Sequence, residues 1–322
     1  MEGIMMRVLV IGGTGLVGSY VVKHFLAEGH KISIVSRSAD RVPIAASAIV
    51  ADVSLPGWTK NAVINPEDFE VVVYLAYATT EDKYYDRTVT VDSAIEIIEY
   101  FKESSLQHFI FGGSMSVFGI ELPAGILDEN APRVADNDYA RNKVDACAAL
   151  ISSDVDFKVS VLHPTGIYDD TSKRMKSYRE MLSWGYFVLD AGGHGINNIV
   201  HADDVGAAIY ACSTRLIGNR AEEYIINGEA VSFEEWFSIL ESEKNLNKRR
   251  RLPAILAPCY RGPLRRFFIA FGYALPILMP AYKRKIYERD TEFVSEKAAV
   301  HFGWQAKTHF KDVINSTNDT SA

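Results

Sequence analysis

The sequence predicts a doubly wound α/β fold: a parallel sheet with helices on both faces, followed by a smaller α+β unit. Three observations carry this. Short, continuously apolar, β-branched runs recur through the first half of the chain, and stretches of helix length separate them. A glycine-rich turn joins the first run to the first of those stretches. Strands covered on both faces are apolar throughout rather than alternating, and parallel neighbours need a crossover between them.

The strands are expected at "RVLVI" (7–11), "KISIV" (31–35), "SAIVA" (47–51), "EVVVYLA" (70–76), "HFIFG" (108–112) and "FKVSVL" (157–162). Helices are expected at 16–28, closed by Gly29, at 84–103, and at 138–152 with Asn137 or Asp138 as N-cap. After about residue 165 the rhythm changes, with helical pieces at 172–184, 202–214 and 232–244 and a strand "EYIING" at 223–228. We therefore expect a nucleotide-binding domain over 1–165 and a mainly substrate-binding domain over 166–314 that returns to the sheet at least once. The polar tail "NSTNDTSA", 315–322, is expected to be flexible.

Of the 322 residues, 48% are hydrophobic and 23% charged, an ordinary globular balance. The net charge of −7 argues against a nucleic-acid partner. Cys147, Cys212 and Cys259 lie far apart without CxxC spacing, and the eight histidines show no ligand spacing, so no metal is expected. "MRVLVIGGTGLVG" is broken by glycine too early for a signal peptide, and no run of 18 apolar residues occurs. A cytoplasmic protein is expected, with a reservation about one later segment.

"VLVIGGTGLVGSYVV" sets Gly12, Gly15 and Gly18 between the first strand and the first helix. Gly12 permits a tight turn, Gly15 lets the backbone approach a pyrophosphate, and Gly18 lets helix and strand pack closely. The helix N-terminus offers unpaired amides and a positive dipole end to phosphate, with Thr14, Leu16 and Val17 in the same turn. The fold is thus expected to be Rossmann-like and to hold a dinucleotide. At the end of the second strand stand Ser36 and Arg37, with Arg41 one turn on, where an NAD-selective site presents an acid. A guanidinium suits a 2′-phosphate, which favours NADP(H) over NAD(H). Asp52, followed by Val53, stands where adenine is usually contacted, or serves as a turn residue.

The fifth strand runs into "GGSMSVFG", and the helix opening at Asn137 carries Tyr139 and Lys143 on one face. Moving a hydride to or from carbon requires a proton to move on the attached oxygen. Free tyrosine, with a pKa of about 10, is a poor base at neutral pH, and a nearby ammonium brings it toward a useful range. A hydroxyl such as that of Ser114 can hold the substrate oxygen.

With "GGTGLVG", "VVYLAYA", "SMSVFG", "YARNK", "VLHPTGIYD", "NIVHADDVGAAI" and "FVSEKAAVHFGWQ", the chain resembles the extended short-chain dehydrogenases/reductases, the NAD-dependent epimerase/dehydratase family. The resemblance implies proton transfer by Tyr139, its activation and a ribose contact by Lys143, and substrate positioning by Ser114. It also implies Leu75, Ala76, Pro164 and Ile167 around the cofactor, and a homodimer. Thr90 stands where the family often has asparagine, and His163 where it has arginine; we read His163 as a buried, hydrogen-bonded histidine. Asp203 and Asp204, after His201, are read as helix caps. "SMS" supplies no carboxylate, which disfavours dehydration.

The implied activity is 4-epimerisation or 4-keto reduction of a nucleotide-linked or lipid-linked sugar, the partner being a sugar diphosphate. The alternatives are reduction of a steroid-like or flavonoid-like ketone, and a non-catalytic NADP sensor, against which the retained Tyr/Lys pair argues. The segment 248–285 holds ten Lys or Arg and no acid around an apolar interior. It has three readings: core of the second domain, a diphosphate clamp through Arg261 or Arg265, or peripheral contact with an anionic membrane.

Overall fold

The computed structural model describes residues 5–77, 87–183, 186–187, 194–243, 250–251, 273–276, 285–286 and 288–320. Strand β1 (Arg7–Ile11) leads through α1 (Leu16–Ala27) to β2 (Lys31–Ser36), then β3 (Ser47–Val50), a single turn α2 (Trp58–Asn61) and β4 (Val71–Tyr74). A π-helical turn (Thr88–Asp92) runs into α3 (Ser93–Tyr100), followed by β5 (His108–Gly112), the short β6 (Gly125–Leu127), α4 (Asp138–Ile151) and β7 (Lys158–Pro164). Next come β8 (Gly166–Tyr168), α5 (Lys173–Ser183), β9 (Tyr186–Phe187), β10 (Ile196–His201), α6 (Ala202–Ser213), β11 (Ala221–Ile226) and β12 (Glu229–Ser232). The described chain ends with α7 (Phe233–Glu241), β13 (Arg250–Arg251), β14 (Tyr273–Pro276), β15 (Thr291–Phe293), α8 (Glu296–Phe302) and α9 (Phe310–Thr320).

Seven strands form one sheet in the order β11-β7-β5-β4-β1-β2-β3, every pair parallel. Alternation along each strand divides the core. Leu9, Ile11, Val72, Phe109 and Phe111 meet Ile97, Phe101 and Leu150 of α3 and α4 on one face. Val8, Val10, Val71, Val73 and Ile110 meet Val21, Phe25, Val205 and Ile209 of α1 and α6 on the other. Both faces are covered, which is why β4 and β7 are buried at every position. The chain returns to the sheet as β11, and α6 covers the face that α1 begins.

The second lobe has its own core, in which Tyr168, Ile199, Phe233, Trp236, Phe310 and Ile314 pack together. The tail expected to be flexible from 315 instead continues as helix through Thr320. Phe310 and Ile314, one turn apart and fully buried, anchor it against Trp236 and its neighbours. Strand order reverses at β1, flanked by β4 and β2, and the carboxyl ends of these strands open onto the site below. Most of 248–285, including Arg261 and Arg265, lies outside the described residues, as does Cys259. Among the described residues no helix is long and apolar enough to cross a membrane.

Candidate active site

The glycine turn is built by close approach. Gly12 has φ +86°, and a Cβ on it would stand 2.9 Å from the backbone nitrogen of Ala76, so both conformation and space exclude a side chain. A Cβ on Gly18 would lie 2.2 Å from the Gly12 carbonyl oxygen; only glycine lets α1 start this near β1. Gly15 donates its N–H to Gly12 O at 3.1 Å and caps α1. No side chain caps that helix, and its first turn holds no acid, so its leading amides present the donor set that suits a phosphate. This cradle fits a dinucleotide.

Beside it lies a cleft of about 790 Å³. Its walls include Gly12, Thr14, Gly15, Leu16, Val17, Gly18, Arg37, Asp52, Val53, Leu75, Ala76, Tyr139, Lys143, Pro164 and Ile167, all the positions expected around the cofactor. Ser36 and Arg41 line it too. The wall also contains Ser54, Tyr77, Val89, Gly112, Gly113, Leu162, Val205 and Ile209, which sequence reading did not assign. The glycine pair ending β5 was a visible signal; Val205 and Ile209 arrive from α6, far along the chain. Ser114 is not in the wall but one residue beyond Gly113, half-buried.

Near the end of β3, Asp52 is both wall and turn residue. Its Oδ1 accepts from the hydroxyl and the amide of Ser54, at 2.7 and 3.0 Å. Those bonds, with Arg37 nearby and against the opposing effect of burial, hold its carboxyl below the usual range. The end of β2 offers hydroxyl and guanidinium groups and no carboxylate.

At the reacting end, Asn137 caps α4, its Oδ1 accepting from the amide of Ala140 at 2.9 Å. This fixes the first turn, from which the half-buried Tyr139 faces the cleft, edge-on to Tyr77 with ring centroids 6.4 Å apart. Lys143 follows one turn later and is 3% exposed. Its Nζ donates to Gly112 O at 2.6 Å and lies 4.7 Å from the centre of the Phe111 ring. Burial pulls its pKa down to about 8. Ser114 Oγ accepts from the amide and hydroxyl of Ser116, at 3.2 and 3.0 Å.

His163 is fully buried and hydrogen-bonded at both ring nitrogens, as expected. Thr90 is buried, and its neighbour Val89 reaches the cleft instead. The cap of α6 differs from expectation: His201, not either aspartate, accepts the Asp203 amide, at 3.2 Å. Asp203 pairs with Lys23 and His24 of α1, at 3.0 and 3.2 Å. Asp204 is buried, with its carboxylate taking the amides of Lys307 and Thr308 at 3.1 and 2.9 Å. Both were committed to partners distant in sequence, which no local pattern shows.

Among the described residues, Cys147, His163 and Glu223 come within 4.8 Å of one another. Arg133 bonds the Glu223 carboxylate at 2.9 Å, and burial with Glu223 nearby pushes the Cys147 thiol up to about 12. Arg133 and His163 both bond the Glu223 carboxylate, so the arginine already meets its charge.

An α/β sheet with a glycine cradle at its switch point, facing a tyrosine and a buried lysine, defines a dinucleotide-dependent enzyme. The model of the NAD dependent epimerase/dehydratase family matches residues 8–226, and the chain belongs to that family, of the extended short-chain dehydrogenase/reductase type. A 3-diazoavenalumate denitrifying reductase from a Streptomyces species is 26% identical over 273 residues, covering 80% of this chain and 88% of its own. A 3-beta-hydroxysteroid dehydrogenase from Mycolicibacterium neoaurum is 27% identical over 256 residues, 71% of this chain and 68% of its own. The fold matches that of UDP-glucose 4-epimerase from Thermotoga maritima, solved with UDP-glucose, at a TM-score of 0.74 and 16% identity over 98% of this chain and 100% of that one.

Proposed function

We propose that the protein transfers a hydride at a hydroxyl- or carbonyl-bearing carbon of a nucleotide-linked sugar, as a 4-epimerase or 4-keto reductase, with NADP(H) preferred. The observation that carries it is the convergence of Tyr139 and the buried Lys143 on one cleft with the glycine cradle. A bound nicotinamide would supply or accept the hydride there. Tyr139 donates or takes the proton on the substrate oxygen, and Lys143 stabilises its phenolate while touching the ribose. Ser114, behind Gly113, orients the same oxygen. Arg37, Arg41 and Ser36 in the wall favour a 2′-phosphate.

The sugar-diphosphate substrate class is supported by Arg289. Burial lowers its pKa, against the pull of Asp136, and its buried Nε meets no partner among the described residues. Asp136 accepts from the side chain of Asn137, the cap of the helix carrying Tyr139, at 2.7 Å. That Nε–H is a buried donor that a substrate anion would satisfy.

A second reading, reduction of a non-sugar ring ketone, is favoured by Tyr77. It is 53% exposed, lines the cleft and sits edge-on to Tyr139. The similarity to a 3-beta-hydroxysteroid dehydrogenase points the same way. Identification of the nucleotide released from purified protein tests the cofactor. Turnover is then measured with UDP-glucose and UDP-galactose against a panel of cyclic ketones. UDP-sugar turnover supports the first reading; oxidation of NADPH by the ketones alone overturns it in favour of the second.

A further inference from the structure

Behind the strip Gly112–Gly113–Ser114 lies a chain of side chains that hydride transfer does not use. His163 of β7 fills the space beside Gly113, where a Cβ would stand 2.5 Å from its Nδ1. That nitrogen is 3.2 Å from both the amide nitrogen and the carbonyl oxygen of Ser114. The opposite nitrogen, Nε2, is 2.6 Å from Glu223 Oε2 on the neighbouring strand β11. Arg133 donates to the same oxygen at 2.9 Å and lies over Phe118, 4.3 Å from its ring centre. The Phe118 ring in turn meets His163 edge-on at 5.8 Å. The imidazole is therefore fixed on several sides at once.

Proton accounting gives it a direction. Burial raises the Glu223 carboxyl, but His163 and Arg133 outweigh that and leave it below the ordinary range. A carboxylate has no proton to share, so the hydrogen in the short contact belongs to Nε2. On the other side of the ring, Nδ1 faces the Ser114 N–H, for which it is the acceptor. From α4, Lys143 holds Gly112 O at 2.6 Å and Cys147 faces the His163–Glu223 pair. The strip is thus held at both ends, by Lys143 at Gly112 and by His163 at Ser114. Ser116 occupies the acceptor side of the Ser114 hydroxyl, which leaves its proton to be donated.

We propose that His163 is a positioning residue: oriented by Glu223 and Arg133, it fixes the Gly113–Ser114 peptide and so aims the Ser114 hydroxyl at the oxygen that Tyr139 protonates. This rests on the reading of Ser114 given above. Two near-isosteric substitutions separate the two ends of the ring. His163→Asn keeps an acceptor where Nδ1 stands and loses the Glu223 contact. His163→Gln reaches Glu223 and loses Ser114.

Both variants are expected to melt below wild type. Amide exchange over the peptide spanning 112–116 should accelerate in the Gln variant and stay near wild type in the Asn variant. With UDP-glucose or UDP-galactose as probe, kcat should fall roughly 10- to 100-fold in Gln only, with the KM for cofactor unchanged. Equal exchange and equal kcat in the two variants would mean that the ring merely fills space, and the proposal is wrong. If neither UDP-sugar is turned over, the substrate reading fails, while the exchange contrast still decides this one.

Should both variants fail to fold, Glu223→Leu tests the same point through the ¹⁵N imidazole spectrum. Leucine offers Nε2–H no acceptor, so the Nε2–H form should give way to Nδ1–H, whose proton the Ser114 carbonyl oxygen at 3.2 Å can accept. A tautomer unchanged by Glu223→Leu would overturn the orienting role of Glu223.

Discussion

Lys143 lost its solvent to gain its place: 3% exposed, it has its pKa drawn down to about 8 from 10.5 by burial. Between those values the unfolded chain binds more protons than the folded one, so through this group stability rises as pH rises from about 8 to 10.5. Below 8 both states carry the charge and the burial penalty is constant. The melting temperature of wild type relative to Lys143→Met should therefore climb between pH 8 and 10.5; a flat difference would show that the amine is not desolvated. At any pH, Lys143→Met should lower both rate and cofactor affinity. Tyr139→Phe should cut kcat by about 100- to 10,000-fold with cofactor affinity nearly intact, because the ring still packs while the proton-transfer oxygen is gone. Wild-type rate in that variant would remove Tyr139 from the mechanism. For the cofactor, Arg37→Asp exchanges a 2′-phosphate partner for a 2′-hydroxyl acceptor and should move the preference from NADP(H) toward NAD(H). Titration of both nucleotides against both proteins reads this, and an unchanged ratio would place Arg37 in solvent.

At the level of elements, α4 depends on one cap. Asn137→Ala removes the acceptor for the Ala140 amide and should cost about 0.5–2 kcal/mol. Because the frayed turn carries Tyr139, kcat should fall along with the melting temperature; a loss of stability with full kcat would separate the cap from the site. Elements of this kind were legible because their signals are local. The cap, the Tyr139–Lys143 spacing and the glycine turn each fit within a few consecutive residues, and β1, α1, β5 and α4 begin where expected. The cap of α6 and the helix α9 were not. Asp203 and Asp204 are held by α1 and by residues 307–308, and "NSTNDT" is helical because Phe310 and Ile314 seat against Trp236 and its neighbours. Propensity yields to such packing, which local sequence does not display.

Across the whole molecule, the sheet is completed by a late part of the chain. Val205, Ala208 and Ile209 of α6 cover the α1 face, and β11 flanks β7. A fragment ending at residue 165 should expose Val21, Val22 and Phe25 and show no cooperative thermal transition. A sharp, reversible melt for that fragment would show that the first 165 residues stand alone. By itself the sequence determined the parallel α/β architecture, the glycine cradle and the Tyr139–Lys143 pair, since each rests on periodicity, chain turns or spacing within one segment. The tertiary structure alone decided that His163, Glu223 and Arg133 back Ser114, that Arg289 lies within electrostatic reach of Asp136, and that Tyr77 meets Tyr139. Those groups come from separate strands and loops. Their chemistry exists only once the sheet has brought together residues dozens of positions apart, and burial has removed the water that would otherwise satisfy them.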